Sequence, residues 1–433
     1  MADEHGSWNG YPTPAHTTAL APAWRSELRW PTGTSTLAYG NGRSYGDVCQ
    51  NPGGQLTLMR GLSRLVRYDR ESGLITAEAG MTLGELLAVV EPDGWFLAVT
   101  PGTQFVTLGG AVANDVHGKN HHRRGSFGHH VQGFGLLRSD GQEHHCSPSE
   151  NTALFRTSIG GLGLTGIITT VTLQLMRVPG PAVKAETLRM ENLRAFFEIN
   201  AASTEFEYTV AWIDCTARGR KMGRGFYIRG DHIATEPDTH QRKTKHVPFQ
   251  LPVSMINRLS VRAFNTLYSY KQWRKSVTTL THRDAFFYPL DGLQHWNRLY
   301  GKPGFLQYQC VLPTLVAESA CEEMVGVISN AGGGSFLVVL KAFGDCAPAG
   351  LLSFARGGIT LAIDFPLTGD STFALLDRLD AITRAAQGAV YPAKDARMSG
   401  ADFRRFYPEW QQLEALRDPA VGSGFWRRVT GDT

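Results

Sequence analysis

A chain of 433 residues is longer than one ordinary hydrophobic core serves and suits two domains. Its 42% hydrophobic, 19% charged and 10% aromatic residues exclude disorder, and a formal net charge of +4 is too small to point to nucleic acid. The start, Met1-Ala-Asp-Glu-His-Gly6, is polar and acidic, and no run of about 18 apolar residues occurs. A cytoplasmic protein with no membrane span is therefore expected. The six cysteines are scattered and include no C-x-x-C pair, so reduced thiols are expected rather than a zinc or redox motif.

In chain order, residues 37–47 read as a short strand entering a glycine loop, and residues 56–59 and 73–79 as two further strands. Thr82 and Glu85 form a capping-box pattern ahead of Leu86, Leu87, Val89 and Val90, which predicts a helix. Residues 95–99 read as a strand that ends at Pro101-Gly102. Thr107 can cap a helix over residues 108–113 with an unusually small first turn. Asp140-Gly141 marks a hairpin turn, and residues 167–175 read as a buried strand. Pro179-Gly180-Pro181 is the clearest linker. Beyond it the pattern predicts strands at 208–213, 305–312, 336–343 and 359–365. A helix carries Leu375, Leu376, Leu379 and Ile382 on one face, with Gly388 as its C′ residue. Residues 229–283 mix Arg242, Lys243, Lys245, Lys271, Arg274 and Lys275 with Phe264, Tyr268, Tyr270 and Trp273. A surface loop with solvated charges and a lid or membrane-surface contact both account for that composition.

Glycine clusters at residues 40–54, 102–110 and 157–166 suggest one binding surface assembled from several loops. In Gly40-Asn-Gly42-Arg43-Ser44-Tyr45-Gly46-Asp47, backbone N–H groups could converge on phosphate oxygens, although taken alone the loop is better explained as a tight turn. Gly161-Leu-Gly163-Leu-Thr-Gly166 fits G-x-G-x-x-G, but a helix-like run precedes it and a strand follows, the reverse of the dinucleotide motif. Residues 101–122 place small side chains at a helix start and end in His117, His121 and His122. No carboxylate stands at ligand spacing and Gly118 interrupts any helix, so a metal site is not expected.

Those segments, with Gly125-Ser-Phe-Gly128 and residues 160–168, resemble the vanillyl-alcohol-oxidase/PCMH class of FAD enzymes, and within it the prenyl-phosphoryl-ribose 2′-oxidases. The resemblance continues through Tyr288-Pro-Leu-Asp291, Gly304-Phe-Leu-Gln307-Tyr-Gln309, Lys341-Ala-Phe-Gly344, Asp364-Phe-Pro366 and Tyr391-Pro-Ala-Lys394-Asp-Ala-Arg397. It implies an α+β fold: a two-part PCMH-type FAD-binding domain (1–178 with 389–433) and an inserted α+β substrate domain on an antiparallel sheet (179–388). FAD contacts are implied for Ala38, Tyr39, Gly40, Asn41, Gly42, Arg43, Ser44, Tyr45, Gly46, Asp47 and Val48. They are implied equally for Gly102, Thr107, Leu108, Gly109, Gly110, Asn114, Asp115, Val116, His117, Ile168 and Tyr391. Arg43 stands where many relatives attach FAD through a histidine, so non-covalent FAD is expected. Ala362 and Thr360 replace a cysteine and an asparagine that mycobacterial members carry near the flavin.

The family's catalytic pocket maps onto Tyr45, His117, Lys119, Gln307, Gln309, Lys341 and Lys394. Oxidising a secondary alcohol needs hydride transfer to flavin N5 and a group that removes the hydroxyl proton. Lys394, if desolvated, could be that base, or else a fixed cation for a substrate phosphate. His117 suits a hydrogen bond to the reacting hydroxyl, and a structural histidine would look the same. Lys119 and Lys341 suit phosphate, and Gln307 and Gln309, two apart on a strand, suit sugar hydroxyls. The substrate implied is a prenyl-phosphoryl pentose oxidised at its 2′-hydroxyl, with a soluble sugar, alditol or aldonolactone as the alternative. Implied partners are a short-chain reductase and the inner face of a membrane.

Overall fold

The computed structural model describes residues 5–13, 15–235, 244–332 and 334–431. Its first part holds two larger sheets and a two-stranded one. Thr18–Leu20, Gln55–Leu58 and Thr36–Tyr39 form a small parallel sheet with Gln55–Leu58 in the centre. Leu65–Asp69, Leu74–Glu78, Ile167–Gln174, Val131–Leu137 and Glu143–Cys146 form an antiparallel sheet in that order. The Thr82 capping box closes as its sequence pattern requires. The Thr82 hydroxyl accepts from the Glu85 N–H, and the Glu85 carboxylate accepts from the Thr82 N–H at 2.8 Å. The helix it starts, Leu83–Val90, buries Leu83, Leu86, Leu87 and Val90.

The second part is an antiparallel sheet of eight strands. Its order is Ser276–His282, Ala182–Met190, Gly225–Ile233, Tyr208–Ile213, Val338–Phe343, Gly358–Pro366, Phe305–Leu312 and Ala389–Val390. Side chains alternate between its faces. Tyr308, Cys310, Leu340 and Leu361 point to the face covered by Ala317–Ala331 and Asp370–Ala385, where Tyr308 Oη meets Thr383 Oγ1 at 2.8 Å and Cys310 Sγ lies 3.8 Å from Met324 Sδ. Gln307, Gln309, Val339, Lys341 and Ala362 point to the other face, towards the glycine loops.

The C-terminal residues return to the first part. Tyr45 N–H donates to the Ala393 carbonyl at 2.9 Å, Thr36 bridges to Val421, and Arg428 forms ion pairs with Asp47 and Asp395 at 2.7 and 3.0 Å.

Three local expectations are corrected. The strand at 95–99 is only Trp95–Phe96, because its partner Met176–Arg177 is two residues long and residues 97–99 continue as buried loop. The left-handed residue after Asp370–Ala385 is Gln387 (φ 55°) rather than Gly388. Gly388 serves a close approach instead, since a Cβ there would meet the Val311 carbonyl oxygen at 2.4 Å. The stretch 229–283 is not one surface loop: it completes Gly225–Ile233, forms the helix Arg258–Ser269 and ends in the edge strand Ser276–His282. Arg242 and Lys243 lie outside the described residues.

Candidate active site

Between the glycine loops and the open face of the large sheet lies a cavity of about 1000 Å³. One wall is backbone-rich. Gly40, Asn41, Gly42, Arg43, Ser44 and Tyr45 meet Gly109 and Gly110 across it, because the strand Thr36–Tyr39 and the helix Leu108–Ala113 both end at the cavity. Thr107 joins the two segments. Its hydroxyl accepts from the Gly110 N–H at 3.3 Å, and a Cβ on Gly40 would strike that hydroxyl at 2.4 Å. Val116, Leu162, Gly163, Gly166 and Ile168 continue the lining. The G-x-G-x-x-G segment thus reaches the cavity although it lies between a helix, Thr152–Ser158, and a strand, as its sequence context predicts.

Opposite this wall the chain gathers its polar groups. Lys394 follows Ala389–Val390 in a short turn that places its Nζ 3.8 Å from the centre of the Tyr45 ring. Burial drives the Lys394 ammonium down from its ordinary pKa, and the Asp364 carboxylate opposes that shift; Asp364 is itself driven up by burial. Gln307 donates to Asp364 Oδ1 at 2.5 Å, and Tyr300 Oη donates to Oδ2 at 3.4 Å. Burial also raises the Tyr45 phenol well above its usual range, so it stays protonated.

A second cluster centres on His117, which burial keeps neutral. Its Nδ1 lies 3.2 Å from Lys341 Nζ and its Nε2 lies 2.9 Å from the Gln309 amide, which also reaches Thr360 Oγ1 at 3.2 Å. A neutral imidazole has one N–H, so only two proton arrangements fit. In one, the Gln309 NH₂ donates to both His117 Nε2 and Thr360, and the His117 Nδ1–H donates to an uncharged Lys341. In the other, the amide is reversed: its oxygen accepts from His117 Nε2–H and from Thr360, and Nδ1 accepts from Lys341. Burial and the neighbouring ammonium groups of Lys119 and Lys394 pull Lys341 down to about 7. Lys119, brought to about 7 by burial alone, donates to the Phe286 carbonyl and lies 4.5 Å from the centre of the Phe286 ring. The lining thus carries Arg43, Lys119, Lys271, Lys341 and Lys394 against one carboxylate, Asp291.

Tyr45, His117, Lys119, Gln307, Gln309, Lys341 and Lys394 all line this cavity, as do Ala38, Val48, Gly102, Thr107, Asn114 and Tyr391. Five residues expected at FAD do not. Tyr39 donates to the Gly6 carbonyl, Gly46 sits against the Asp395 backbone, Asp47 pairs with Arg428, and Leu108 is fully buried core. Asp115 lies beneath the loop, accepting from the Gly128 N–H at 2.8 Å and the Ser353 hydroxyl at 2.6 Å. Conversely, sequence reading assigned no role to Asp291, Asp364, Tyr300 or Phe286. Asp364 stands directly opposite Gln307 in the sheet register, a pairing that no local spacing reveals. Among the described residues no group of three or more His, Cys, Asp or Glu is placed to hold a metal ion.

The donor set suits a dinucleotide cofactor. Arg43 Nε and Asn114 Oδ1 are buried polar atoms of lining residues with no hydrogen-bond partner, and Gly40, Gly42, Gly109 and Gly110 bring backbone directly to the cavity. Residues 13–147 match the FAD binding domain family. The fold and site therefore define an FAD-dependent oxidoreductase acting on CH–OH groups. The chain is 34% identical over 408 residues to decaprenylphosphoryl-beta-D-ribose oxidase of Mycolicibacterium smegmatis, covering 89% of this chain and 87% of that protein. It is 33% identical to an uncharacterized protein of Streptomyces coelicolor, covering 78% and 96% of the two chains. L-gulonolactone oxidase of Mus musculus is 30% identical over 135 residues, 31% of this chain and 30% of that one. This chain belongs to the decaprenylphosphoryl-β-D-ribose oxidase family.

Proposed function

We propose that the enzyme oxidises the 2′-hydroxyl of a prenyl-phosphoryl pentose, giving a 2-keto product that a separate short-chain reductase would reduce to complete an epimerisation. The observation that carries this reading is the excess of lysines: Lys119, Lys341 and Lys394, each half-buried, face one cavity whose lining holds a single carboxylate. Such a site is costly unless the ligand brings negative charge. A phosphorylated sugar does, and a free sugar, alditol or aldonolactone does not. In this reading residues 1–178 and 389–433 hold FAD and residues 179–388 hold the substrate, which is the two-part PCMH arrangement. Arg43 cannot form the linkage a histidine would, so FAD is held non-covalently.

The flavin supplies a hydride acceptor. The chain's own residues bind, orient and deprotonate. Lys119 and Lys341 hold the phosphate, and Gln307 and Gln309 orient the pentose hydroxyls. His117, with both ring nitrogens engaged, positions Lys341 and Gln309 around the substrate, and Lys394 takes the proton of the reacting hydroxyl while Tyr45 fixes the lysine from one side. Ala362, opposite Gln309 in the sheet, leaves room beside the sugar where a larger residue would fill it.

The test is steady-state kinetics on a farnesyl-phosphoryl riboside, the matching unphosphorylated riboside and free ribitol. Two charge-assisted contacts of about 1.5–3 kcal/mol each predict kcat/KM at least about 100-fold higher for the phosphorylated compound. Equal values would overturn the reading in favour of a soluble sugar or alditol.

A further inference from the structure

The helix Arg258–Ser269 packs Val261, Phe264 and Tyr268 on its own protein yet leaves two leucines almost fully in solvent. Its buried positions are Val261, Asn265 and Ser269, while Leu259 and Leu267 are 79% and 74% exposed. The inward face is fixed by polar bonds: Asn265 Nδ2 donates to Asp214 Oδ1 at 3.0 Å, and Arg224 holds Asp214 at 2.9 Å. Exposed apolar side chains flank the helix in the chain, with Phe249, Val253 and Met255 before it and Trp273, 80% exposed, after it. So many large exposed apolar side chains within one short segment mark an interaction site.

The charge around it selects the partner. Residues 244–282 contain six Lys or Arg and no Asp or Glu. Arg258, Arg262, Lys271, Arg274 and Lys275 are all exposed there. A segment that exposes Leu, Phe and Trp among cations and carries no acid has the composition of one that lies in the interface of an anionic bilayer. No helix among the described residues is long and apolar enough to cross a membrane. The same helix borders the cavity: its Phe264 and Tyr268, with Lys271 just after it, belong to the lining, and Tyr268 sits edge-on to Trp212 at 4.7 Å.

We propose that the outward face of Arg258–Ser269, with the flanking residues 249–255 and 270–275, docks the enzyme on an anionic lipid surface and opens the cavity towards it. The docking stands on the exposed residues alone; its use in delivering substrate rests on the prenyl-phosphoryl reading. A leaflet is favoured over a second copy of the chain because two copies would bring like charges together. Docked in this way, a lipid substrate could reach Lys271 and the cavity without its chain crossing water.

The holoenzyme is to be sedimented with phosphatidylcholine vesicles and with vesicles containing about 30% phosphatidylglycerol. Partition into the anionic vesicles, weakened by salt, and a loss of at least about tenfold in Leu259→Glu/Leu267→Glu are expected. Both side chains lie outside the cavity lining, so the double variant keeps its flavin spectrum and its turnover of a short-chain soluble analogue. No partition into anionic vesicles, equal partition into neutral ones, or indifference to the double substitution would overturn the proposal. A wild-type dimer that the double variant converts to monomer would overturn it in favour of self-association. Failure of the substrate reading appears separately, in the kinetics with phosphorylated and unphosphorylated ribosides.

Discussion

Burial without matching charge controls the chemistry at the level of single residues. In the proposed mechanism Lys394 must be unprotonated to accept a proton, whereas Lys119 and Lys341 must be protonated to hold a phosphate. The two requirements move oppositely with pH. Turnover rises as pH climbs through the depressed Lys394 value, and substrate affinity falls as pH climbs past about 7, where Lys119 and Lys341 lose their protons. A bell-shaped kcat/KM profile follows. Asp364 holds the Lys394 value up, so Asp364→Asn should move the rising limb to lower pH; an unmoved limb would show that Lys394 is not the group that titrates. Lys394→Ala should cut kcat by about 10²–10⁴ while the protein stays yellow, and near-normal kcat would refute its role. Lys119→Met should raise KM about tenfold or more and leave kcat within about twofold, as loss of uniform binding does. The sequence displayed the three lysines and His117 through a family resemblance. It could not display their interplay, because the Lys341–His117–Gln309 chain joins residues 192 to 224 positions apart.

At the scale of elements, the cofactor wall depends on two segments whose chemistry was local and therefore legible. Thr107 as a cap and Thr82 with Glu85 as a capping box are spacings read directly from the chain, and both form. Strand parity was equally readable: Gln307 and Gln309 share a face because they are two apart, and Phe305–Leu312 has the bounds its pattern predicts. What failed was decided by neighbours. Trp95–Phe96 is short because its partner strand is short, and Gly388 was read as a helix cap when its role is to approach Val311. Gly110 tests the wall itself. A side chain there would meet Thr107 Oγ1 at 3.0 Å and project into the lining, so Gly110→Val should abolish FAD retention while secondary structure by circular dichroism stays unchanged. A yellow, active variant would contradict this placement.

Over the whole molecule, the last forty or so residues close the site. Arg428 donates to Asp47, Asp395 and the Met398 carbonyl, and so ties the end of the chain both to the first glycine loop and to the turn that carries Lys394. Both carboxylates are buried, so removing their cation leaves charges that water cannot reach. Arg428→Met should destabilise the protein by about 3 kcal/mol in denaturant unfolding and loosen FAD, and wild-type stability would contradict that tie. This closure between distant ends could be expected from the family resemblance, but the ion pair that makes it was not visible in any motif. The central claim is that this closed cavity holds FAD without a covalent bond and reduces it with a phosphorylated lipid-sugar. The most direct measurement is the absorbance spectrum of the purified protein before and after acid precipitation, followed by anaerobic titration with a prenyl-phosphoryl ribose analogue. Yellow colour released into the supernatant, and bleaching of the native protein by the analogue but not by free sugars, is the predicted result. Flavin retained in the pellet, or bleaching by free sugars or alditols alone, would contradict it.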